Sequence, residues 1–340
     1  MKVGVIGCGG MGTTHYLSLK VLSSQMDVEV VALADCREEF LQKAAAEFPE
    51  ARTYTYGMEL IERENLDAVH ICLPSYLHTE HAVAAMKKGM NVLVEKPVCL
   101  TREEGELLLE TQKETGVKVM VGQVVRAFDE YRYLKEVYDN KTLGKLKSIV
   151  MQRVSGNVRW GFEGWFHDEK KSGSVVHDLD FLRYMLGEPD DFEVRATTFD
   201  SGMINQVITT YEFGDVFATA EGVWDVSPIP KFQAGFRAYF EKGTVYFNQA
   251  GQPGLAVYKD DGTEIIPELH PEYEGQTNTG INITNLGPYY TEIKYFLECL
   301  QDGKEITLAP LQEGVKSVEQ ALEEWEAAKL YLREKKEMYI

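Results

Sequence analysis

A chain of 340 residues exceeds the usual size of one hydrophobic core, so two domains are expected. With 44% hydrophobic and 26% charged residues it has a globular composition, and its net charge of -19 repels phosphate backbones, which argues against a nucleic-acid partner. No apolar stretch approaches the ~20 residues that cross a bilayer, and the opening "MKVGVIG" has no leader pattern, so a cytoplasmic protein away from membranes is expected.

Over the first third, short β-branched runs at 2–7, 28–35, 67–74, 91–97 and 117–122 alternate with helix-patterned stretches at 11–24, 37–48, 76–88 and 101–115. Nearly continuous apolarity in the runs predicts burial on both faces, hence a parallel sheet with helices on either side. The expected fold class is α/β: a doubly wound, Rossmann-type domain over residues 1–122, then an α+β domain over 123–340.

The first run leads into "GCGGMG", with Gly7, Gly9 and Gly12 in GxGxxG spacing and Gly10 and Met11 between them. Gly7 permits the tight turn, Gly9 lets a pyrophosphate approach the backbone, and Gly12 lets the helix pack on the strand. Asp35 ends the second run, 23 residues past Gly12, where a carboxylate can hold the adenosine ribose hydroxyls. That favours NAD, while Arg37 keeps NADP open by offering a guanidinium to a 2'-phosphate. The alternative is that Asp35 and Arg37 only cap the next helix. The five cysteines, never in CxxC spacing, read as reduced thiols, and no cluster has metal-ligand spacing.

Further on, Pro74 closes one strand, His78 starts the next helix, and Glu95, Lys96 and Pro97 form "EKP" at a strand exit. On the residues alone, a solvated lysine paired with Glu95 is the simpler reading of Lys96. Together with "VIGCGGMG", however, these features resemble the Gfo/Idh/MocA family of NAD(P)-dependent oxidoreductases, and "YYTEIKYFLECLQDGKEITLAPLQEGVKSVEQALE" is similar to that family's C-terminal region. The resemblance implies a catalytic Lys96, with Pro74, His78, Glu95 and Gln123 near the cofactor and Arg126 near the substrate. His81, one turn past His78, reads as a surface residue.

From about residue 145 the pattern changes to alternating strands at 145–155, 191–199, 205–213, 216–224 and 232–240, with turn signals at 213–215, 242–243 and 260–262. An open, mostly antiparallel sheet is expected, followed by helices at 289–301 and 311–335. In the resembled family one sheet face commonly serves oligomer contacts, which implies a homo-oligomer, a dimer or tetramer.

"KSGSVVHDLDFLRYMLG" (171–187) is similar to that family's substrate site, which presents an aspartate and, four residues later, a histidine at a helix start. The match leaves two alignments open. Read from downstream, His177 is the proton-transfer residue, but Gly173 then stands where the aspartate belongs; read from upstream, Asp178 is the aspartate and the histidine is missing. Either the site is shortened by four or five residues or a segment is absent from the sequence between about 174 and 180. The uninterrupted downstream match favours His177, with simple capping of the "FLRYML" helix as the alternative. Trp165 offers a stacking face to a sugar.

The implied activity is hydride transfer between a nicotinamide and a secondary hydroxyl of a sugar, sugar derivative or cyclitol, without a metal. A non-catalytic dinucleotide-binding regulator and an NAD-using glycosidase on the same scaffold are the alternatives.

Overall fold

Apolar runs too short for helices, each followed by an amphipathic stretch, set the alternation of strand and helix at the start of the chain. The computed structural model describes residues 1–156, 175–199, 204–226, 232–279, 283 and 285–338. Its first elements are β1 (Lys2–Ile6), α1 (Gly10–Leu22), β2 (Glu29–Ala34), α2 (Glu38–Glu47), β3 (Arg52–Tyr54), α3 (Gly57–Arg63), β4 (Ala68–Ile71), α4 (His78–Lys87), β5 (Asn91–Glu95), α5 (Arg102–Thr115) and β6 (Val119–Gly122). The six strands pair in parallel in the order β3-β2-β1-β4-β5-β6. That order reverses between β1 and β4, and the reversal opens a crevice at the carboxyl ends of the strands. The short edge strand β3 and helix α3 go beyond the sequence expectation, because a three-residue strand with two exposed side chains carries no apolar run.

The remaining elements are α6 (Asp129–Asp139), β7 (Leu146–Gly156), α7 (Val175–Leu186), β8 (Asp191–Thr198), β9 (Ile204–Phe213), β10 (Val216–Val226), β11 (Gln233–Phe240), β12 (Gly243–Asn248), β13 (Leu255–Lys259), β14 (Glu264–Ile265), α8 (Gly287–Gln301) and α9 (Leu311–Met338). Strands β7 to β14 form one sheet in the order β14-β13-β12-β11-β7-β10-β9-β8, antiparallel except for the central β7–β10 pair. Its covered face is aromatic. Tyr131 of α6 packs edge-on against Phe181 of α7 and Phe236 of β11, with ring centroids 4.9 and 5.2 Å apart. Alternation puts Phe217, Tyr239 and Tyr258 on the other face, 40–47% exposed.

Two compact units divide the chain: Met1–Phe128 with Pro271–Val318, and Asp129–His270 with Glu319–Ile340. Sequence patterning puts a single break after residue 122, whereas residues 271–318 fold with the parallel sheet. The physical reason is α8, whose Tyr290, Ile293, Phe296 and Leu297 join the cluster of Val3, Val5, Leu19 and Leu93. Among the described residues, no helix is long and apolar enough to cross a membrane.

Candidate functional site

The turn between β1 and α1 is built by contacts that tolerate no side chain. Gly7 has φ +89°, and a Cβ there would stand 2.4 Å from the Cys72 carbonyl oxygen; a Cβ on Gly12 would fall 1.7 Å from the Gly7 oxygen. Gly7 and Gly12 are buried, while Gly9, Gly10 and Met11 keep partial exposure at the helix N-terminus. No acidic side chain of α1 itself lies in its first turn, which suits an anion at the helix N-terminus.

Asp35, just past β2 and 7% exposed, braces this turn. Its Oδ2 accepts the Cys8 backbone N–H and its Oδ1 accepts the Arg37 backbone N–H, each at 2.8 Å. The Arg37 guanidinium lies over the same carboxylate, with Nε 3.2 Å from Oδ1 and Nη2 3.3 Å from Oδ2. A Cβ on Gly9 would meet only that guanidinium, 2.7 Å from Nη2, so the space above Gly9 is bounded by a movable side chain rather than by backbone. A glycine cradle, an open helix N-terminus and a fixed carboxylate fit the pyrophosphate and ribose of a dinucleotide.

Lys96 stands half-buried where β5 ends, at the carboxyl edge of the sheet, and the Lys96–Pro97 peptide is cis. Glu95 is buried beside it, and its Oε2 accepts the Lys96 backbone N–H at 3.3 Å. Glu95 Oε1 lies 3.0 Å from His15 Nε2, and His15 Nδ1 lies 3.0 Å from His70 Nδ1. Sequence reasoning singled out neither His15 nor His70. A lone histidine in a helix or a strand gives no signal, and only the fold joins positions 15, 70 and 95.

His78 is buried, with Nδ1 2.8 Å from the Pro97 oxygen and Nε2 2.7 Å from the Leu73 oxygen. It ties the exits of β4 and β5 together next to the half-buried Pro74. Burial pushes this imidazole below its ordinary value, with the two carbonyl contacts opposing the shift. His81 is buried rather than on the surface: α4 turns His78, His81, Ala82 and Ala85 to one inner face, and His81 Nδ1 lies 2.9 Å from the Leu77 oxygen.

Gln123 is 2% exposed, and its Oε1 has no partner among the described residues, which leaves one acceptor for a bound group. Arg126 is equally buried, and its Nη1 donates to the Leu308 oxygen at 2.6 Å, so part of its guanidinium holds the returning 271–318 segment.

In the second unit His177 lies half-buried in the first turn of α7. Asp178 beside it is 2% exposed and pairs with Arg153 of β7 through both carboxylate oxygens. Burial pushes the neighbouring Tyr131 phenol well up. Trp165 and Gly173 lie outside the described residues. No group of three His, Cys, Asp or Glu side chains could hold a metal ion among those described.

Comparison with known proteins places these features in a family. Residues 1–123 match the family described as "Oxidoreductase family, NAD-binding Rossmann fold", and residues 131–246 match the GFO/IDH/MocA C-terminal domain. A myo-inositol 2-dehydrogenase of Thermotoga maritima is 30% identical over 200 residues, which are 55% of this chain and 55% of that protein. Inositol 2-dehydrogenase 2 of Saccharopolyspora erythraea is 32% identical over 190 residues, covering 55% of this chain and 54% of that one. The chain thus spans about half the length of the curated relatives it matches. A solved UDP-N-acetylglucosamine 3-dehydrogenase from Acidithiobacillus ferrooxidans shares the fold, with a TM-score of 0.78 and 19% identity over 98% of this chain and 99% of that one.

Proposed function

Because this chain belongs to the Gfo/Idh/MocA oxidoreductase family, we propose that it is an NAD-dependent dehydrogenase acting on a secondary hydroxyl of a sugar, sugar derivative or cyclitol. The observation that carries this reading is the meeting of the glycine turn, the braced Asp35 and Lys96 at the carboxyl edge of one parallel sheet.

Bound nicotinamide supplies the hydride acceptor; the chain's own residues bind, orient and move the proton. Backbone N–H groups from Gly9 to Gly12 would hold the pyrophosphate of the dinucleotide, and Asp35 its ribose hydroxyls. Lys96 faces the substrate oxygen as negative charge develops there. His177 accepts the hydroxyl proton. Asp178 is assigned to holding the head of α7 against β7 through its paired bonds with Arg153. Pro74, His78, Glu95 and Gln123 border the nicotinamide end, while Arg126 and Trp165 are assigned to the substrate side.

The substrate class rests on the names of the relatives, two of which act on inositol. NADP stays within the reading through Arg37. A homo-oligomer in the cytoplasm completes it, supported by the partly exposed aromatic residues on the open sheet face and by five free cysteines.

The test is NADH and NADPH formation across inositols, sugars and sugar acids, with Lys96→Ala and His177→Ala beside the parent. Turnover by the parent that each change lowers ~100-fold or more supports the assignment. Binding of NAD without turnover on any substrate would favour a regulator, and tightly retained NAD with redox-neutral chemistry a glycosidase-like role.

A further inference from the structure

Next to Lys96 the first unit buries a row of three ionisable side chains, two of which, His15 and His70, the proposed reaction leaves unused. His15 and His70 are fully buried and Glu95 is 5% exposed. Contacts of 3.0 Å join His70 to His15 and His15 to Glu95, and Glu95 Oε2 accepts the Lys96 backbone N–H. Gly122 of β6 makes room for the carboxylate, since a Cβ there would stand 2.9 Å from Oε1.

Hydrogen-bond chemistry orders the row. An ionised carboxylate only accepts, so His15 Nε2 carries a proton and donates to Glu95. A neutral His15 then accepts at Nδ1, which makes His70 the Nδ1–H tautomer with a bare Nε2. That assignment agrees with the site, where His70 Nε2 is buried with no partner among the described residues and the ring packs edge-on against Phe296. Burial holds His70 well below the ordinary imidazole value, with His15 adding to the effect.

Building on the dehydrogenase reading, we propose that His15 and His70 are positioning residues. Their row fixes the Glu95 carboxylate one residue from Lys96, and a charge there favours the ammonium form of Lys96, the form that faces the substrate oxygen. The other titratable groups facing Glu95 are Cys72 and His78 after β4; burial favours the neutral form of each, while the two carbonyl contacts of His78 and Glu95 itself oppose that shift in His78. Glu292 of α8 acts on the Cys72 side of the row.

The experiment titrates Lys96 directly by NMR of the protein reductively methylated with a 13C label, with Lys96→Ala identifying its resonance, and reads the imidazole tautomers from 15N shifts. Removing the charge (Glu95→Gln) or its donor (His15→Leu) is expected to lower the Lys96 midpoint by ~1 pH unit. His15→Gln, whose amide both donates to Glu95 and accepts from His70, should stay near the parent. A midpoint unmoved by Glu95→Gln, or a His15 protonated on both nitrogens and so neutralising Glu95, overturns the proposal. Should His15→Leu fail to fold, Glu95→Gln and His15→Gln decide. Neither readout needs turnover, so an inactive parent would sink the dehydrogenase reading while this test still returns its own answer.

Discussion

Arg153 and Asp178 meet side by side, Nη2 donating to Oδ1 at 2.7 Å and Nε to Oδ2 at 3.2 Å, with side chains only 9% and 2% exposed. The bidentate geometry spends both carboxylate oxygens on joining β7 to α7. In the proposed reaction, proton transfer at the head of α7 is assigned to His177.

Breaking this pair from one side strands a buried charge. Asp178→Asn should cost ~3 kcal/mol or more in urea denaturation, whereas Arg153→Met combined with Asp178→Leu should recover much of the loss, because apolar residues of similar volume replace a buried ion pair at little cost. If the double variant folds stably yet loses turnover as fully as His177→Ala, Asp178 belongs to the chemistry after all.

Gly12→Ala tests the turn. The added Cβ would meet the Gly7 oxygen at 1.7 Å, an overlap between two stretches of backbone that only displacement of α1 can relieve. NADH affinity, followed by nicotinamide fluorescence, should weaken ~10-fold or more while the second unit is untouched. Parental affinity would mean that the first turn of α1 does not hold the pyrophosphate.

Arg37 decides between cofactors in this reading. Its guanidinium already rests on Asp35 and reaches over Gly9, where it can turn toward a 2'-phosphate. Arg37→Ala should therefore raise the Kd for NADPH ~10-fold and that for NADH less than ~3-fold. Equal losses for both cofactors would assign Arg37 to bracing the loop instead.

What the chain discloses by itself follows the range of the interactions. The β1 turn is local, written in six consecutive residues, and Asp35 sits at a fixed spacing from it. Lys96 stands in a short motif at a strand exit. By contrast, α6 ("DEYRYLKEVYD") carries Tyr131, Leu134 and Val137 at helical spacing, but that spacing does not name the aromatic residues of α7 and β11 they pack against. The return of residues 271–318 to the first unit is equally hidden, since an apolar helix face does not name the sheet it will cover. His81 reads as a surface residue one turn past His78, yet that same spacing places both on the inner face of α4. The His70–His15–Glu95 row and the Arg153–Asp178 pair are long-range in sequence, and no local pattern encodes them.

Glu324 of α9 supplies a pH test of the second unit. It is buried, and its carboxyl accepts from Thr209 Oγ1 at 2.9 Å and from Tyr211 Oη at 2.8 Å. Burial pushes its pKa up to about 7, against the two hydroxyl bonds that favour the charged form. A carboxyl whose folded value lies above its unfolded value binds more protons in the native state, so its contribution is full below pH ~4.5 and declines as pH rises to about 7. The penalty above that point is at most on the order of 3 kcal/mol. Glu324→Gln removes the ionisation and mimics the protonated carboxyl, its amide oxygen accepting from one hydroxyl and its N–H donating to the other. Its Tm should exceed the parent's at pH 8 and fall level with it near pH 5, measured by calorimetry at both values. A gain of equal size at the two pH values would show that the carboxyl does not titrate on unfolding, and that the difference lies in packing alone.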